Sequence, residues 1–179
     1  ASADDGAGEE VAAAVGAEIR NKLDAGCASG ILNAPDASYD PATDRALAAN
    51  YGPDDVARGK AANKRRLQER LGLKVDPEAP VFFWPSRLDP MQKGSQLLTD
   101  ILLETLAAHA GRGLQIVVVA DGPHQYWFRR IAADYSLQGR VAVADFDERL
   151  SRLAYAGSDF MMMPSLFEPC GLPQMVAPI

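Results

Sequence analysis

The sequence predicts an α/β fold in which a parallel sheet of about four strands is flanked by helices. Four short apolar runs follow one another in the second half of the chain, at residues 80–84, 114–120, 140–145 and 159–163. Continuous apolar runs of this length are typical of strands that are buried on both faces. Because a helical pattern lies between each run and the next, the order favours parallel pairing through right-handed crossovers.

The first half of the chain shows weaker patterns. Residues 1–10 are polar and acidic, which indicates an unstructured tail. Residues 11–25 predict a weak helix, and residues 28–59, rich in Ala, Pro, Asp, Asn and Gly without a period, predict loops and turns. Residues 61–73 predict a helix that ends at Gly72. We therefore divide the chain into an acidic tail with a weak helix (1–27), an interdomain-like linker with a helix (28–78) and a sheet domain (79–179).

Further helices are predicted between the strands, at residues 95–109, 124–136 and 147–157. The first of them ends at Gly111. The second places Trp127 and Ile131 on one stripe at helical spacing. The third has Asp147 in the N-cap position and Gly157 at its end, which are favoured residue types for helix termini.

Several conspicuous side chains receive structural interpretations. We expect Trp84 and Trp127 to lie in the core, and His124 to be a helix-start residue. The three consecutive methionines at 161–163 are expected to form a buried strand, because methionine fills irregular gaps in cores. None of these residues is assigned to a metal site.

Composition excludes several classes of function. The net charge of −6 disfavours a general nucleic-acid-binding surface, and the basic window 58–70 is interpreted as a solvated helix face. The two cysteines, Cys27 and Cys170, are far apart, so they form neither a disulfide framework nor a metal-ligand pattern, and they indicate a reducing environment. No apolar run approaches the roughly 20 residues that a membrane-spanning helix needs, and no signal-peptide pattern is present.

Four loops meet at the carboxyl ends of the predicted strands, where ligands of open parallel sheets bind. They span residues 85–95, 121–124, 145–147 and 164–172, and they hold Arg87, Lys93, Gly122, His124, Asp145, Phe146 and Glu168. Arg87 offers a planar fork, Lys93 a mobile point charge, and Gly94 lets the backbone turn tightly into a helix. These features suit an anionic ligand. In isolation, an Arg and a Lys in one loop also fit an exposed polar turn without a ligand.

Two motifs in these loops carry a family resemblance. "RLDPMQKG" (87–94) and "MPSLFEPCGL" (163–172) together resemble the C-terminal half of bacterial glycogen synthases and plant starch synthases. Residues 30–44, "GILNAPDASYDPATD", are similar to the end of that family's N-terminal domain, and residues 59–73 are similar to its linker helix. The resemblance covers about residues 29–179. It implies part of a two-domain retaining glycosyltransferase of the GT-B type that uses ADP-glucose.

The resemblance also implies roles for individual residues. Arg87 and Lys93 match the pair that binds the diphosphate of ADP and stabilises the leaving group, which is electrostatic stabilisation where charge develops. Glu168 matches a catalytic carboxylate near the donor sugar. The other nucleotide-binding or sugar-binding residues that it implies are Gly122, Phe146, Cys170, Gly171 and Leu172. It implies no metal and no cofactor besides the donor substrate.

The family's N-terminal domain, with its donor loop and acceptor groove, has no counterpart in these 179 residues. We therefore expect a truncated piece of the C-terminal domain that is inactive on its own. One hypothesis is part of a starch or glycogen synthase, which transfers glucose from ADP-glucose to the non-reducing end of an α-1,4-glucan. The other is a non-catalytic descendant that serves as a structural or interaction module in a larger assembly.

The expected small-molecule partners are ADP or ADP-glucose, with an α-glucan if the enzyme is complete. A protein partner is expected to cover residues 159–179, because a truncated sheet leaves an edge strand and apolar faces exposed. In that segment Leu172, Met175, Val176 and Ile179 are expected to be uncovered. The compartment is left open between the cytosol and the plastid stroma, which are both reducing.

Overall fold

A computed structural model of the chain describes residues 5–179, with side chains from Gly8 onward. Residues 1–4 of the predicted tail lie outside the described residues. The tail prediction is wrong for residues 5–10, because helix α1 spans Asp5–Asp24. Alanine and glutamate are good helix formers, and acidic residues in the first turns complement the helix dipole. The contacts divide the chain into two compact units, Ala1–Asn33, which contains α1, and Ala34–Ile179.

The second unit contains the sheet. Its strands are β1 (Val81–Trp84), β2 (Gln115–Val119), β3 (Val141–Ala144) and β4 (Phe160–Met161). Its helices are α2 (Val56–Leu71), α3 (Ser95–Ala108), α4 (Gln125–Asp134), α5 (Glu148–Gly157) and α6 (Leu172–Val176), with short 3-10 helices at Ala37–Tyr39 and Ala110–Arg112. Within residues 5–179, four parallel strands pair in the order β3-β2-β1-β4. The predicted fold class is therefore confirmed.

The two faces of the sheet bury different side chains, because successive residues of a strand point to opposite faces. Trp84, Ile116 and Val118 lie in one cluster with residues of α3 and α4. Phe83 and Val117 lie in the other, with residues of α2 and α5. Both faces of the central strands are thus covered by helices, which explains their continuous apolar sequence.

The core prediction for the tryptophans is half right. Trp84 is fully buried, whereas Trp127 is 52% exposed, so its placement in the core is wrong. The neighbouring Phe128 is the fully buried aromatic residue of α4. Trp127 instead contacts Tyr126 edge to face, with ring centroids 5.3 Å apart.

Strand β4 is shorter than the predicted strand 159–163, and Met161, Met162 and Met163 are half-buried rather than buried. In the described part of the chain β4 is an edge strand that pairs with β1 alone. Asp159 lies directly before β4, and its side chain connects the start of this edge strand to α2 and β1. Its Oδ2 accepts hydrogen bonds from Lys64 Nζ at 2.9 Å and from Val81 N at 2.8 Å.

Helix termini agree with the sequence patterns in most cases. Gly72 ends α2 in the left-handed conformation, with φ of 66°, and the Asp147 side chain accepts a hydrogen bond from Leu150 N at 2.6 Å as the N-cap of α5. The end of α3 differs, because the α-helix stops at Ala108 and a 3-10 turn continues the chain past Gly111.

The linker-like segment 34–55 packs on its own domain. Asn63 of α2 is fully buried, and its Oδ1 accepts hydrogen bonds from Ala48 N at 2.8 Å and Ala49 N at 3.2 Å. On α5, Arg152 donates to Ser38 O at 2.5 Å. Because α2 and α5 themselves pack together, these bonds join the segment to two helices at once.

The C-terminal residues are partly covered, contrary to expectation. Val176 is only 8% exposed and lines a small cavity with Tyr51 and Tyr155, so its predicted exposure is wrong. Helix α6 turns this side chain toward the linker-like segment. Leu172 and Ile179 are 42% and 50% exposed, as expected.

Among residues 5–179, no helix combines the length and the apolar character that crossing a bilayer requires.

Candidate functional site

The candidate site lies at the carboxyl ends of β1, β2 and β4. In the strand order β3-β2-β1-β4, the chain first adds β2 and β3 on one side of β1. It then adds β4 on the opposite side of β1. Ligands of open parallel sheets bind in the crevice at such a switch in strand order. The loop after β1 (85–94) and the loop after β4 (162–171) therefore meet at the point where a ligand is expected.

Asp89 and Gly94 set the path of the loop after β1. The Asp89 Oδ1 accepts hydrogen bonds from Met91 N at 3.0 Å and Gln92 N at 2.6 Å, which closes a tight turn. Gly94 follows in the left-handed conformation, with φ of 73°. A Cβ atom at this position would lie 2.3 Å from the carbonyl oxygen of Pro164. Glycine is thus required here both by the backbone conformation and by the close approach of the second loop.

The two loops are also joined by hydrogen bonds. Leu166 N donates to Gln92 O at 2.9 Å, and the Gln92 side chain reaches Phe167 O at 3.5 Å. These bonds fix the distance between the loop after β1 and the loop after β4. The side chains that project from both loops share one space as a result.

Lys93 and Glu168 form an ion pair in that space. Lys93 Nζ lies 2.6 Å from Glu168 Oε1, and the two side chains are only 10% and 18% exposed. Ser165 Oγ donates to the same oxygen at 2.7 Å. The carboxylate is thus held by one charged and one neutral donor in a poorly hydrated position, where charge-assisted hydrogen bonds are strong.

Electrostatics keep Glu168 ionised. Partial burial alone would raise its pKa, but hydrogen bonds from Lys93 and Ser165 and the charges of Lys93 and Arg87 outweigh it. The pKa of Glu168 therefore lies below the ordinary value of 4.5. Arg87 itself is exposed on the loop after β1. The three residues predicted as catalytic, Arg87, Lys93 and Glu168, are brought together.

A cavity of about 500 Å³ opens beside this cluster. It is lined by Pro85, Ser86, Arg87, Asp89, Val119, Ala120, Asp121, Gly122, Pro123 and Phe146. Gly122 has φ of 146°, and a Cβ atom there would lie 2.8 Å from Leu88 O, so glycine lets the loops after β1 and β2 touch. Phe146, which also lines the cavity, is 58% exposed. The cavity combines a cation, an aromatic ring and close backbone, which suits a nucleotide.

The remaining predicted residues follow Glu168 on the loop after β4. Gly171 is buried, adopts φ of 69° and begins α6, whereas Cys170 is half-buried and Leu172 is exposed. These three are not among the residues that line the cavity with Arg87 and Phe146. The predicted residues thus fall into a group around the cavity and a group around Glu168.

His124 takes the structural position expected for it. It precedes α4 as its N-cap, its backbone N donates to Leu88 O at 3.3 Å, and its Nε2 lies 3.2 Å from Thr99 Oγ1. Burial lowers the pKa of His124 against a weaker opposing pull from Asp100, which favours the neutral ring.

Sequence reasoning missed Ser165 and Asp121. Ser165 donates to Glu168, and Asp121 Oδ1 accepts from Phe146 N at 3.0 Å. A signal for Asp121 was present, because a polar residue directly after a buried strand lies at the ligand edge of the sheet. Within residues 5–179, no group of three or more His, Cys, Asp or Glu side chains is arranged so that it could hold a metal ion.

Comparisons with known proteins give a consistent family. No protein-family profile matches the chain. The glycogen synthase of Syntrophotalea carbinolica is 42% identical over 151 residues, and that of Lactiplantibacillus plantarum is 45% identical over 152 residues. Each alignment covers 83% of this chain and 30% of the relative. The chain therefore spans less than a third of the length of the curated relatives it matches.

A solved structure agrees with these relatives. The catalytic domain of starch synthase IV from Arabidopsis thaliana, bound to ADP and acarbose, matches with a TM-score of 0.70 and 37% identity. The match covers 83% of this chain and 30% of that chain.

The contacts of Glu168 lead to a prediction about its protonation. In the variant Lys93→Met, the pKa of Glu168 should rise, because burial then acts against fewer opposing bonds and charges. Because its pKa is lower in the folded state than in the unfolded state, ionised Glu168 stabilises the folded state. This stabilisation is complete above pH 4.5 and is lost as the pH falls through the folded-state pKa. In the variant the folded-state pKa lies higher, so this stabilisation should be smaller and its loss should be complete at a higher pH. A pH titration of the Glu168 carboxyl carbon by NMR measures the shift.

The matched control is Lys74→Met, which removes a cation that pairs with Asp76 instead. It should leave the titration of Glu168 unchanged. If Glu168 titrates at the same pH with and without Lys93, the ion pair does not set its protonation.

Proposed function

We propose that this chain, which belongs to the glycogen and starch synthase family, forms the nucleotide-binding part of a glucosyltransferase. The proposed reaction moves glucose from ADP-glucose to the non-reducing end of an α-1,4-glucan. The observation that carries the proposal is the Lys93–Glu168 pair, 2.6 Å apart, together with Arg87, which lies on the same loop as Lys93 and lines a cavity at the strand ends. Support comes from the starch synthase IV domain, whose structure holds ADP and acarbose.

Arg87 and Lys93 are proposed to bind the diphosphate. The reaction breaks the bond between C1 of glucose and the diphosphate, and negative charge develops on the departing ADP. Fixed cations at that position stabilise the charge where it forms. Arg87 is suited to bind two phosphate oxygens at once, and Lys93 supplies a second positive charge from the same loop. The proposed step takes its electrostatic stabilisation from these side chains and assigns no metal ion or cofactor to it.

Glu168 is proposed to act on the sugar side of the site. In this structure Lys93 is bound by Glu168, so an incoming diphosphate competes with the carboxylate for the same ammonium group. Once the diphosphate takes Lys93, Glu168 is still held by Ser165. The backbone at Cys170, Gly171 and Leu172 then borders the space for glucose. Phe146 is proposed to contact the adenine and Gly122 the ribose-phosphate part of the nucleotide.

A second candidate is a non-catalytic subunit derived from a synthase. The observation that favours it is the apolar surface at and after β4, where Phe160, Leu166 and Phe167 are 55%, 81% and 63% exposed. Exposed apolar surface of this kind is typical of protein interaction sites.

Binding of ADP tests the first candidate. The wild-type chain should bind ADP with a Kd of about 1 mM or weaker, near −4 kcal/mol, because part of the cleft is absent from these residues. Arg87→Ala should weaken binding roughly tenfold, as expected for the loss of a hydrogen bond to a charged group. Calorimetry or NMR titration measures both values. Glu168→Gln should not weaken ADP binding, since this carboxylate is assigned to the sugar and its charge competes with the diphosphate for Lys93.

The matched control for Arg87 is Arg112→Ala, which removes an exposed arginine from a 3-10 helix outside the cavity. It should bind ADP like the wild type. Equal ADP binding by wild type and Arg87→Ala would show that the proposed phosphate clamp is not in use.

The chain alone should show no transfer of glucose from ADP-glucose to glycogen. The reason is that the donor loop and acceptor groove implied by the family are not among these residues. The assay uses the purified 179-residue chain and radiolabelled ADP-glucose, with a complete bacterial glycogen synthase as the positive control. Glucan labelling above the level of a protein-free blank contradicts this expectation.

We also infer that a protein surface covers the edge of the sheet at β4. Phe160, Leu166 and Phe167 are 55%, 81% and 63% exposed. Beside them lies a groove of about 330 Å³ whose apolar lining includes Phe82 and Ile101. Leaving apolar surface exposed to water costs about 25 cal/mol per Å² of free energy. A few hundred Å² therefore cost several kcal/mol, which is comparable to the stability of a domain.

The native molecule should therefore not be a free monomer. Sedimentation at micromolar concentration measures its state, and Phe160→Ser should weaken association. The matched control is Trp127→Ser, which removes an equally exposed aromatic residue from α4. A well-folded monomer that melts cooperatively at this concentration would mean that the sheet needs no partner.

A further inference from the structure

Asp121 stands at the carboxyl end of the central strand β2, in the loop that borders the cavity. Its side chain is exposed, so no part of the described chain shields it from a ligand. Nothing in the proposed function uses this carboxylate. Its position next to the loop of Arg87 places a negative group beside the proposed phosphate clamp.

The carboxylate is fixed in place by two neighbouring loops. Asp121 Oδ1 accepts a hydrogen bond from Phe146 N at 3.0 Å, and the backbone oxygen of Asp121 accepts from Leu88 N at 3.0 Å. A carboxylate has about four lone-pair positions, and the Phe146 N–H occupies one of them. The remaining positions can accept hydrogen bonds from a ligand without any rearrangement of the loops.

Other carboxylates near the cavity are committed to different tasks. Asp89 also lines the cavity, but its Oδ1 accepts from two backbone N–H groups that close the turn before Lys93. Asp145 lies in the next loop and binds Gln125 Nε2 at 2.9 Å and Arg129 at 2.8 Å. It does not line the cavity. Asp121 is therefore the carboxylate best placed to meet a bound nucleotide.

We propose that Asp121 accepts hydrogen bonds from the ribose hydroxyls of the nucleotide whose diphosphate Arg87 and Lys93 hold. In dinucleotide-binding sheets of the Rossmann type, the diphosphate sits at the loop after one strand while an acidic residue further along the chain bonds the ribose hydroxyl. The order of β1 and β2 reproduces this arrangement, with cations after β1 and Asp121 after β2. The inference rests on the proposed function.

The charge of Asp121 then determines specificity. A ribose presents two hydroxyl donors to the carboxylate, a 2′-deoxyribose lacks one of them, and a 2′-phosphate is repelled by it. The site therefore selects ribonucleoside diphosphates with a free 2′-hydroxyl. This selection is separate from the strength of the phosphate clamp.

The test compares two ligands, ADP and 2′-deoxy-ADP, by NMR titration of the full 179-residue chain. The wild type should bind ADP roughly tenfold more tightly, as expected for one hydrogen bond to a charged acceptor. Asp121→Ala should bind both ligands with equal affinity. If Asp121 only positioned Phe146, its loss would weaken both ligands alike and leave the preference intact. The ratio of the two affinities thus separates ligand contact from a structural role.

Two further variants sharpen the comparison. Asp121→Asn keeps an oxygen that can accept from Phe146 N but loses the charge, so its preference should fall between those of the wild type and Asp121→Ala. Asp145→Ala removes a carboxylate from the same rim and should keep the tenfold preference of the wild type.

The outcomes distinguish the two proposals. Equal binding of both ligands by the wild type, with ADP binding still weakened in Arg87→Ala, overturns the inference and leaves the phosphate clamp standing. A preference that persists in Asp121→Ala overturns the inference as well. A wild-type chain that binds neither ligand overturns the inference together with the proposed function on which it rests.

Discussion

The contact between the loops after β1 and β4 is the constraint on which the candidate site depends. Gly94 must lack a Cβ because the carbonyl of Pro164 occupies that space, and the approach brings Lys93 to 2.6 Å from Glu168. The partial burial of this pair is tolerable because each charge meets a partner, whereas an unpaired charge in that position would be costly. A single glycine thus permits a pairing that neither loop could support by itself. Glu168 Oε1 accepts the hydrogen bond from Lys93, so this one oxygen atom links the sugar side of the proposed site to its phosphate side.

The cavity next to this contact depends on a second close approach. At Gly122 the loop after β2 passes the backbone of Leu88 at a distance that leaves no room for a side chain. The backbone N–H groups of Leu88 and Phe146 both donate to Asp121, to its backbone oxygen and its carboxylate respectively, and so connect three loops into one rim. Such a rim needs little reorganisation when a ligand arrives, and preorganised polar groups contribute more to binding and catalysis than groups that must first be ordered.

Much of the fold could be predicted because its signals are local. The apolar runs of β1, β2 and β3 are confirmed as strands, and β2 is buried throughout. The topological rule for parallel sheets places Arg87, Lys93 and Glu168 at one edge from the sequence alone, and Lys93 and Glu168 are in contact there. Other features depend on contacts between distant parts of the chain. Periodicity could not choose between Trp127 and Phe128, since Ile131 lies four residues after the one and three after the other, and both spacings place a pair on one helix face. Val176 lines a cavity together with Tyr51, more than a hundred positions earlier, a proximity that no local pattern indicates.

Asp159 binds residues that are synthesised long before it. Its carboxylate reaches Lys64, 95 positions earlier, and also the first residue of β1. During synthesis, α2 and β1 therefore emerge before the Asp159 carboxylate that binds them. The face of α2 that packs on α5 likewise emerges before α5 has been made. Proteins dominated by such long-range contacts fold slowly, because the entropy of closing a long loop is lost before the contact forms. Because Asp159 and the loop that carries Glu168 follow α2 and β1 in the sequence, the edge of the sheet and the candidate site can form only after the rest of the domain has been synthesised.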